Sequence, residues 1–417
     1  MTSALRFIHA ADLHLDAPFQ GVEATDERVR QALVASTYEA FGRIVDACIE
    51  LDAEFLVIAG DAYNSRDKSL RSQLAFHAQV ERLAEAGIPV FAAQGNHDPA
   101  DGWTAELRSP ENLTYFPYDS IGRFEVRRGD ETRCALYGRG FRRSAETANF
   151  AREFSRASDD SIAIGVLHTN VGGNTDYEPY APCSVDDLRS AKMDYWALGH
   201  IHKPGRVSDE PRAMYAGSPQ GLNPKESGPH GCFLVQISDG LITEEFISTA
   251  SIEWARAEAS IDGLEGISAV ADALRNACEA LRSQSERPLV ARIDLVGRSG
   301  AHADLGRGTV FEELVADIRD EQLSADPWLW IDRVRDLTSP ALDLDEIRAT
   351  PDFSGDLVRL CDELLSDETQ AASLVCEVMD PLESSVGAVE LEMSPGEVLR
   401  RARDLCLDGL LEGAEAR

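Results

Sequence analysis

Gly95-Asn96-His97-Asp98 puts a carboxamide, an imidazole and a carboxylate on three consecutive residues, directly after the apolar run 88–93 and before Pro99. All three offer oxygen or nitrogen atoms suited to divalent cations and phosphate chemistry, and Gly95 lets the backbone turn sharply enough for neighbouring side chains to converge. Alone, the tetrapeptide is equally a polar turn closed by Asn and Pro. What sets it apart is recurrence. Asp12-Leu13-His14 follows the run 5–9, Asp61 follows Gly60 at the end of 55–59, His168 closes 161–167, and Gly199-His200-Ile201-His202 closes 193–198. In Asp-x-His and His-x-His an extended backbone places both side chains on one side, so two ligand atoms can grip one cation. His9, inside the first run, is expected to be a packed or capping histidine.

Five of the nine histidines (His14, His97, His168, His200 and His202) lie at such ends. Two divalent ions about 3.5–4 Å apart, clamping a phosphoryl group and activating a water, would use this mixed set. Asp61 is expected to bridge, because a carboxylate has two oxygens to share. Asp12, His14 and His202 would hold one ion, and Asn96, His168 and His200 the other. His97 is the candidate acid for the leaving oxygen, oriented by Asp98.

The elements that must position these residues are legible as periodicity. Val29, Leu33, Tyr38, Phe41, Val45 and Ile49 predict a helix from about Asp26 to Leu51, and a second spans about Ser69 to Ala86. Strand, helix, strand, helix, strand with polar residues at each carboxyl end is the arrangement of an open α/β sheet. Three more strand-like runs lie in 212–247, split by the Gly/Pro-rich loop 217–231, which could offer backbone N–H groups to a phosphate or be a long ordered turn. A composition shift near 248–253 suggests a boundary; 252–337 then alternates strands and helices, and 343–417 is acidic with helical periodicity and breaks at Pro351, Pro381 and Pro395. The expected domains are 1–248, a small α/β unit over 249–340, and a helical, partner-seeking region over 341–417.

Composition bounds the setting. The 417 residues, 43% hydrophobic, suffice for two or three domains, and no window approaches the ~20 apolar residues of a membrane span. No leader pattern opens the chain, so a soluble cytoplasmic protein without membrane contact is expected. The eight cysteines form no Cys-x-x-Cys pair, and most are expected to be buried small residues. Acidic residues outnumber basic ones 73 to 40, a net charge of -33, with Lys68, Lys192, Lys203 and Lys225 the only lysines. Such a surface repels phosphate backbones at low salt; it also suits a cytoplasm of high ionic strength, and a halophilic source is the favoured expectation. Residues 1–250 carry 37 acidic and 24 basic side chains and 251–417 carry 36 and 16, so a polyanion would favour the first part.

The ordered motifs Asp12-x-His14, Gly60-Asp61, Gly95-Asn96-His97-Asp98, His168 and Gly199-His200-x-His202 resemble the calcineurin-type metallophosphoesterase superfamily. The opening 7–19 and the loop Gly217-Ser-Pro-Gln-Gly221 narrow the resemblance to SbcD-like DNA repair nucleases, most closely their bacterial YhaO-type branch. The resemblance implies a two-sheet α/β sandwich with a small capping domain and a helical extension. It also implies a manganese-dependent 3′-to-5′ exonuclease and endonuclease acting in double-strand-break repair, often with an SMC-like ATPase on the C-terminal helices; a homodimer is allowed. The same bimetal chemistry would serve a phosphatase or a phosphodiesterase of small substrates. The metal roles given above coincide with the family's, and His97 matches its catalytic histidine. One departure is Asn64, where nuclease members commonly carry Asp or His. For DNA contact the candidates are Arg66, Lys68 and Arg71 with Arg139, Arg142 and Arg143, which could equally pair with the abundant carboxylates.

Overall fold

The structure is a computed structural model in which residues 4–19, 22, 26–386 and 393–415 are described. It divides into two compact units, 1–255 with 287–290 and 256–286 with 291–417.

In the first unit the chain runs β1 (Leu5–Ala10), α1 (Glu27–Glu50), β2 (Leu56–Ala59), α2 (Leu70–Glu85), β3 (Val90–Ala93), β4 (Leu113–Tyr115), β5 (Gly122–Arg128) and β6 (Glu131–Arg139). It continues through β7 (Ala163–His168), α3 (Val185–Ser190), β8 (Tyr195–Gly199), β9 (Gly205–Ser208), β10 (Arg212–Tyr215), β11 (Gly231–Ser238) and β12 (Leu241–Ser248). The strands form two six-stranded sheets, ordered β12-β11-β1-β2-β3-β4 and β5-β6-β7-β8-β10-β9. This is the two-sheet sandwich implied by the resemblance, where the motif pattern alone suggested one open sheet. Strands β4, β5, β6 and β9 lie outside the expected runs; within β5, Gly122–Arg128 holds three arginines and only two apolar residues.

The period of two along each strand makes the sandwich. Phe7, Phe55, Val57 and Phe91 of the first sheet pack on Leu136, Ile164, Val166 and Tyr195 of the second, with Phe7 and Phe55 stacked at 4.7 Å. The alternate residues Ile8, Leu56 and Ile58 face Phe41, Ile44, Phe76 and Val80 of α1 and α2. Asp26 caps α1 by accepting from the amides of Arg28 and Val29, and Ser69 caps α2 by accepting from Ser72. The parallel pairs β1–β2–β3 and β7–β8 bring their carboxyl ends, and the loops that follow, to one edge of each sheet.

Crossing into the second unit are β13 (Glu253–Ser260), α4 (Gly266–Arg282), β14 (Leu289–Ser299), α5 (His302–Leu305), α6 (Val310–Leu323) and β15 (Leu329–Pro340), with a three-stranded sheet β13-β14-β15. Then come α7 (Leu344–Ala349), α8 (Phe353–Leu365), α9 (Glu368–Val386) and α10 (Pro395–Glu415). Helix α9 runs through Pro381, so that expected break is absent. Pro395 instead opens α10, where its missing N–H costs nothing, and Ser394 and Glu397 cap each other's amides.

Candidate metal centre

Asp12, the second residue beyond β1, is 1% exposed and accepts from the His200 amide at 3.1 Å. The loops after β1 and β2 are laced together: the amides of Asp12 and His14 donate to the carbonyls of Gly60 and Asp61, each at 3.0 Å. Asp12, His14, Asp61 and His200 all have left-handed backbone, with φ of 51°, 43°, 52° and 101°. Non-glycine residues reach that region at a cost, and such costs collect at functional sites.

One carboxylate reaches both halves of the cluster. Asp61 Oδ2 lies 3.3 Å from His168 Nε2 and 3.9 Å from His14 Nε2, while its Oδ1 accepts from the His97 amide at 2.9 Å. His168 Nδ1 donates to the Ala59 carbonyl at 3.0 Å, which leaves Nε2, 2.9 Å from Asn96 Oδ1, with its lone pair. His200 Nε2 donates to the Glu178 carbonyl, leaving Nδ1 free to coordinate. His202 Nδ1 meets Glu226 at 2.8 Å, and its Nε2 sits 3.0 Å from His14 Nε2. Asp12, His14 and His202 form one group with ligand atoms close enough for a single ion, and Asp12, Asp61 and His168 another.

The donor set fits divalent cations. Two buried carboxylates face histidines and amides, with no arginine or lysine in ion-pair contact with either among the described residues. Burial pushes the Asp12 carboxyl up; it also raises that of Asp61, but there His168, His14 and His97 together outweigh burial and hold the carboxyl down. His14 Nδ1 is buried without a hydrogen-bond partner. A Cβ on Gly95 would stand 2.2 Å from Asp61 Oδ1 and 2.9 Å from His168 Nε2, so glycine is required for the close approach. The structure thus brings Asp12, His14, Asp61, Asn96, His168, His200 and His202 to one edge.

His9 is the packed histidine expected, bonded to the Tyr195 hydroxyl and the Leu198 carbonyl, and burial lowers its pKa to about 3. His97 is the only exposed histidine of the nine, its ring perpendicular to His14 at 4.8 Å. The expectation that Asp98 orients it is corrected. Asp98 is buried and spends its oxygens on the amides of Gly95 and Ala62, tying the turn to the Asp61 loop. His97 Nδ1 instead donates to the Asn64 carbonyl at 3.0 Å. Position 64 thus acts through its backbone here, and its departure from the family's residue leaves this contact intact.

Of the cations expected to meet DNA, two make close contacts within the protein. Lys68 is 7% exposed and lies over the Tyr63 ring, and the Arg139 guanidinium stacks on Phe150 and pairs with Glu153. Arg66 is exposed but pairs with Asp101 at 3.3 Å. Arg71, Arg142 and Arg143 are exposed, with Arg71 over Tyr38 and Arg142 over Tyr118. The residue that sequence reasoning missed is Glu226: one acid among 73, inside a glycine-rich loop, gives no local signal.

Residues 5–204 match the calcineurin-like phosphoesterase family, and residues 254–339 match the middle domain of metallophosphoesterase YhaO. An uncharacterized metallophosphoesterase of Bacillus subtilis (strain 168), YhaO, is 31% identical over 357 residues, 85% of this chain and 86% of that protein. Among solved structures, a dimetal phosphatase from Danio rerio is 10% identical, covering 60% of this chain and 100% of that one with a TM-score of 0.36. A purple acid phosphatase from yellow lupin (Lupinus luteus) seeds is 11% identical, covering 59% of this chain and 52% of that one, also with a TM-score of 0.36. By its relative and its two family segments, the chain belongs to the calcineurin-like metallophosphoesterases and carries a YhaO-type middle domain.

Proposed function

We propose that this metallophosphoesterase is a two-metal phosphodiesterase acting on DNA, a 3′-to-5′ exonuclease and endonuclease of double-strand-break repair. The observation that carries the phosphodiester chemistry is the reach of Asp61 to both His14 and His168, with one exposed histidine beside them. Asp12, His14 and His202 with Asp61 would hold one ion, and Asn96, His168 and His200 with Asp61 the other, manganese being the metal implied by the resemblance. When bound, such ions polarise a phosphoryl group and activate a water. His97 presents Nε2 at the rim because the Asn64 carbonyl occupies its other nitrogen, so Nε2 is the atom that gives a proton to the leaving oxygen.

The exposed Arg71, Arg142 and Arg143 support a nucleic-acid substrate. An SMC-type ATPase on the C-terminal helices is supported by Phe353 and Leu360 of α8 and Leu405 of α10, exposed at 68%, 54% and 60%. A second reading, small phosphodiesters or phosphomonoesters, is favoured by the burial of Lys68 and the pairing of Arg139 with Glu153.

Digestion of end-labelled linear DNA and of a small chromogenic phosphodiester, with manganese in high-salt buffer, separates the two. DNA shortening by wild type that falls roughly 10²–10⁴-fold in His97→Ala supports the nuclease reading. Arg142→Glu should then weaken DNA cleavage and spare the diester. Cleavage of the diester with DNA left intact favours the second reading.

A further inference from the structure

Glu226 sits on the loop between β10 and β11, its side chain 15% exposed, and receives three hydrogen bonds. His202 Nδ1 and Asn223 Nδ2 each lie 2.8 Å from Oε1, and the Leu222 amide donates to Oε2 at 2.7 Å. A carboxylate with three donors is accept-only, which makes His202 Nδ1 the protonated nitrogen and leaves the lone pair on Nε2. That Nε2 points at His14 Nε2, 3.0 Å away.

The loop is built to hold this carboxylate still. The Glu226 carbonyl accepts from His230 Nε2 at 2.9 Å, and His230 Nδ1 lies 3.0 Å from the hydroxyl of Ser218, which is fully buried. A Cβ on Gly221 would meet Trp254, the Glu226 carbonyl and the His230 ring within 2.9 Å, so the loop is packed without slack. From these contacts we infer that Glu226 is a positioning residue: it fixes the tautomer and ring orientation of His202, and with them the affinity of one of the two metal positions, the one formed by Asp12, His14 and His202. Asn96, His168 and His200 take their orientation from elsewhere, His168 from the Ala59 carbonyl and His200 from the Glu178 carbonyl. Loss of Glu226 is therefore selective for one ion. Outer-shell partners of this kind are worth about 10- to 100-fold in metal affinity.

The inference rests on the two-metal reading of the site, and the test separates the two. Chelator-treated full-length protein is titrated with manganese by calorimetry, as wild type, Glu226→Ala, Glu226→Gln and the exposed control Lys225→Ala, each checked for folding by circular dichroism. Two manganese ions bound by wild type and Lys225→Ala, with one step about 10- to 100-fold weaker in Glu226→Ala and the other within twofold, is the expected result. Glu226→Gln, which keeps one acceptor oxygen, should fall between and serves in its place if Glu226→Ala does not fold. Unchanged affinities in a folded variant, or equal weakening of both steps, would overturn the positioning role while leaving the two-metal reading intact. Failure of wild type to bind manganese would overturn both.

Discussion

The loops after β1 and β2 and the amino-terminal half of α10 both bury carboxylates, and they complete them in opposite ways. Asp404 on α10 is closed by the protein itself: Arg298 and Arg403 reach Oδ1 at 2.5 and 3.0 Å, and the Ser339 hydroxyl donates to Oδ2. Asp12 and Asp61 are just as buried but meet only amides and imidazoles. A buried ion paired within the fold is structural, whereas one left open calls for a cation from outside. Asp404 thus helps to hold its own unit together, whereas Asp12 and Asp61 keep their charge open to a ligand.

Breaking the open end should have the largest effect on chemistry. Asp61→Asn keeps the shape but removes the charge shared by both halves. Manganese affinity and phosphodiester hydrolysis are expected to fall by more than the roughly 100-fold that an outer-shell partner is worth. Manganese at 100 times Kd is expected to stabilise wild type by about 2.7 kcal/mol, and Asp61→Asn should lose that rise in melting temperature. A preserved shift would place Asp61 outside the metal site.

Breaking the closed end should cost stability and spare chemistry. Asp404→Ala leaves Arg403, itself 7% exposed, with Asp362 at 3.7 Å, and is expected to lose about 1–3 kcal/mol in urea unfolding. Hydrolysis of a small diester below the unfolding transition should stay within twofold. A loss under about 1 kcal/mol would mean that α10 docks without this charge.

A half-open pair lies between them. Arg123 bonds Asp160 at 2.5 Å, with the Tyr137 hydroxyl on the same carboxylate, and the arginine hydrogen bond holds the carboxyl below its usual range. Because the folded value is lowered, the stabilisation is complete above the ordinary Asp value of about 3.9 and fades as pH falls through the folded one. Asp160→Asn should therefore be less stable than wild type near neutrality, by about 1 kcal/mol or less, with the gap closing in acid melts. At the surface, Arg82 and Asp46 pair at 2.6 Å with side chains 44% and 48% exposed, and Arg82→Ala should change the unfolding free energy by less than about 0.5 kcal/mol.

Much of this was legible without coordinates. Buried strands of Val, Ile, Leu and Phe announce themselves by period and by the polar residue that stops them, so Asp12, Asp61, Asn96, His168 and His200 could be placed at strand ends from order alone. The expected bounds of α1 and α2, about 26–51 and 69–86, fall within a residue of those observed, and Asp26 and Ser69 turn out to be their caps. The edge arginines read less well, because a guanidinium that stacks on Phe150 and one that faces water look alike in a sequence.

What the sequence determined by itself was which side chains could serve and in what order they come, because ligand chemistry belongs to residue type and strand periodicity to local pattern. Tertiary structure decided which atom of each is offered. The Asn64 carbonyl turns His97, Asp98 ties down the Gly95 turn, and Glu226 sets the tautomer of His202 from a loop 24 residues away. Those choices depend on backbone carbonyls and amides that every residue carries, and on contacts between distant segments, so only the folded chain can make them.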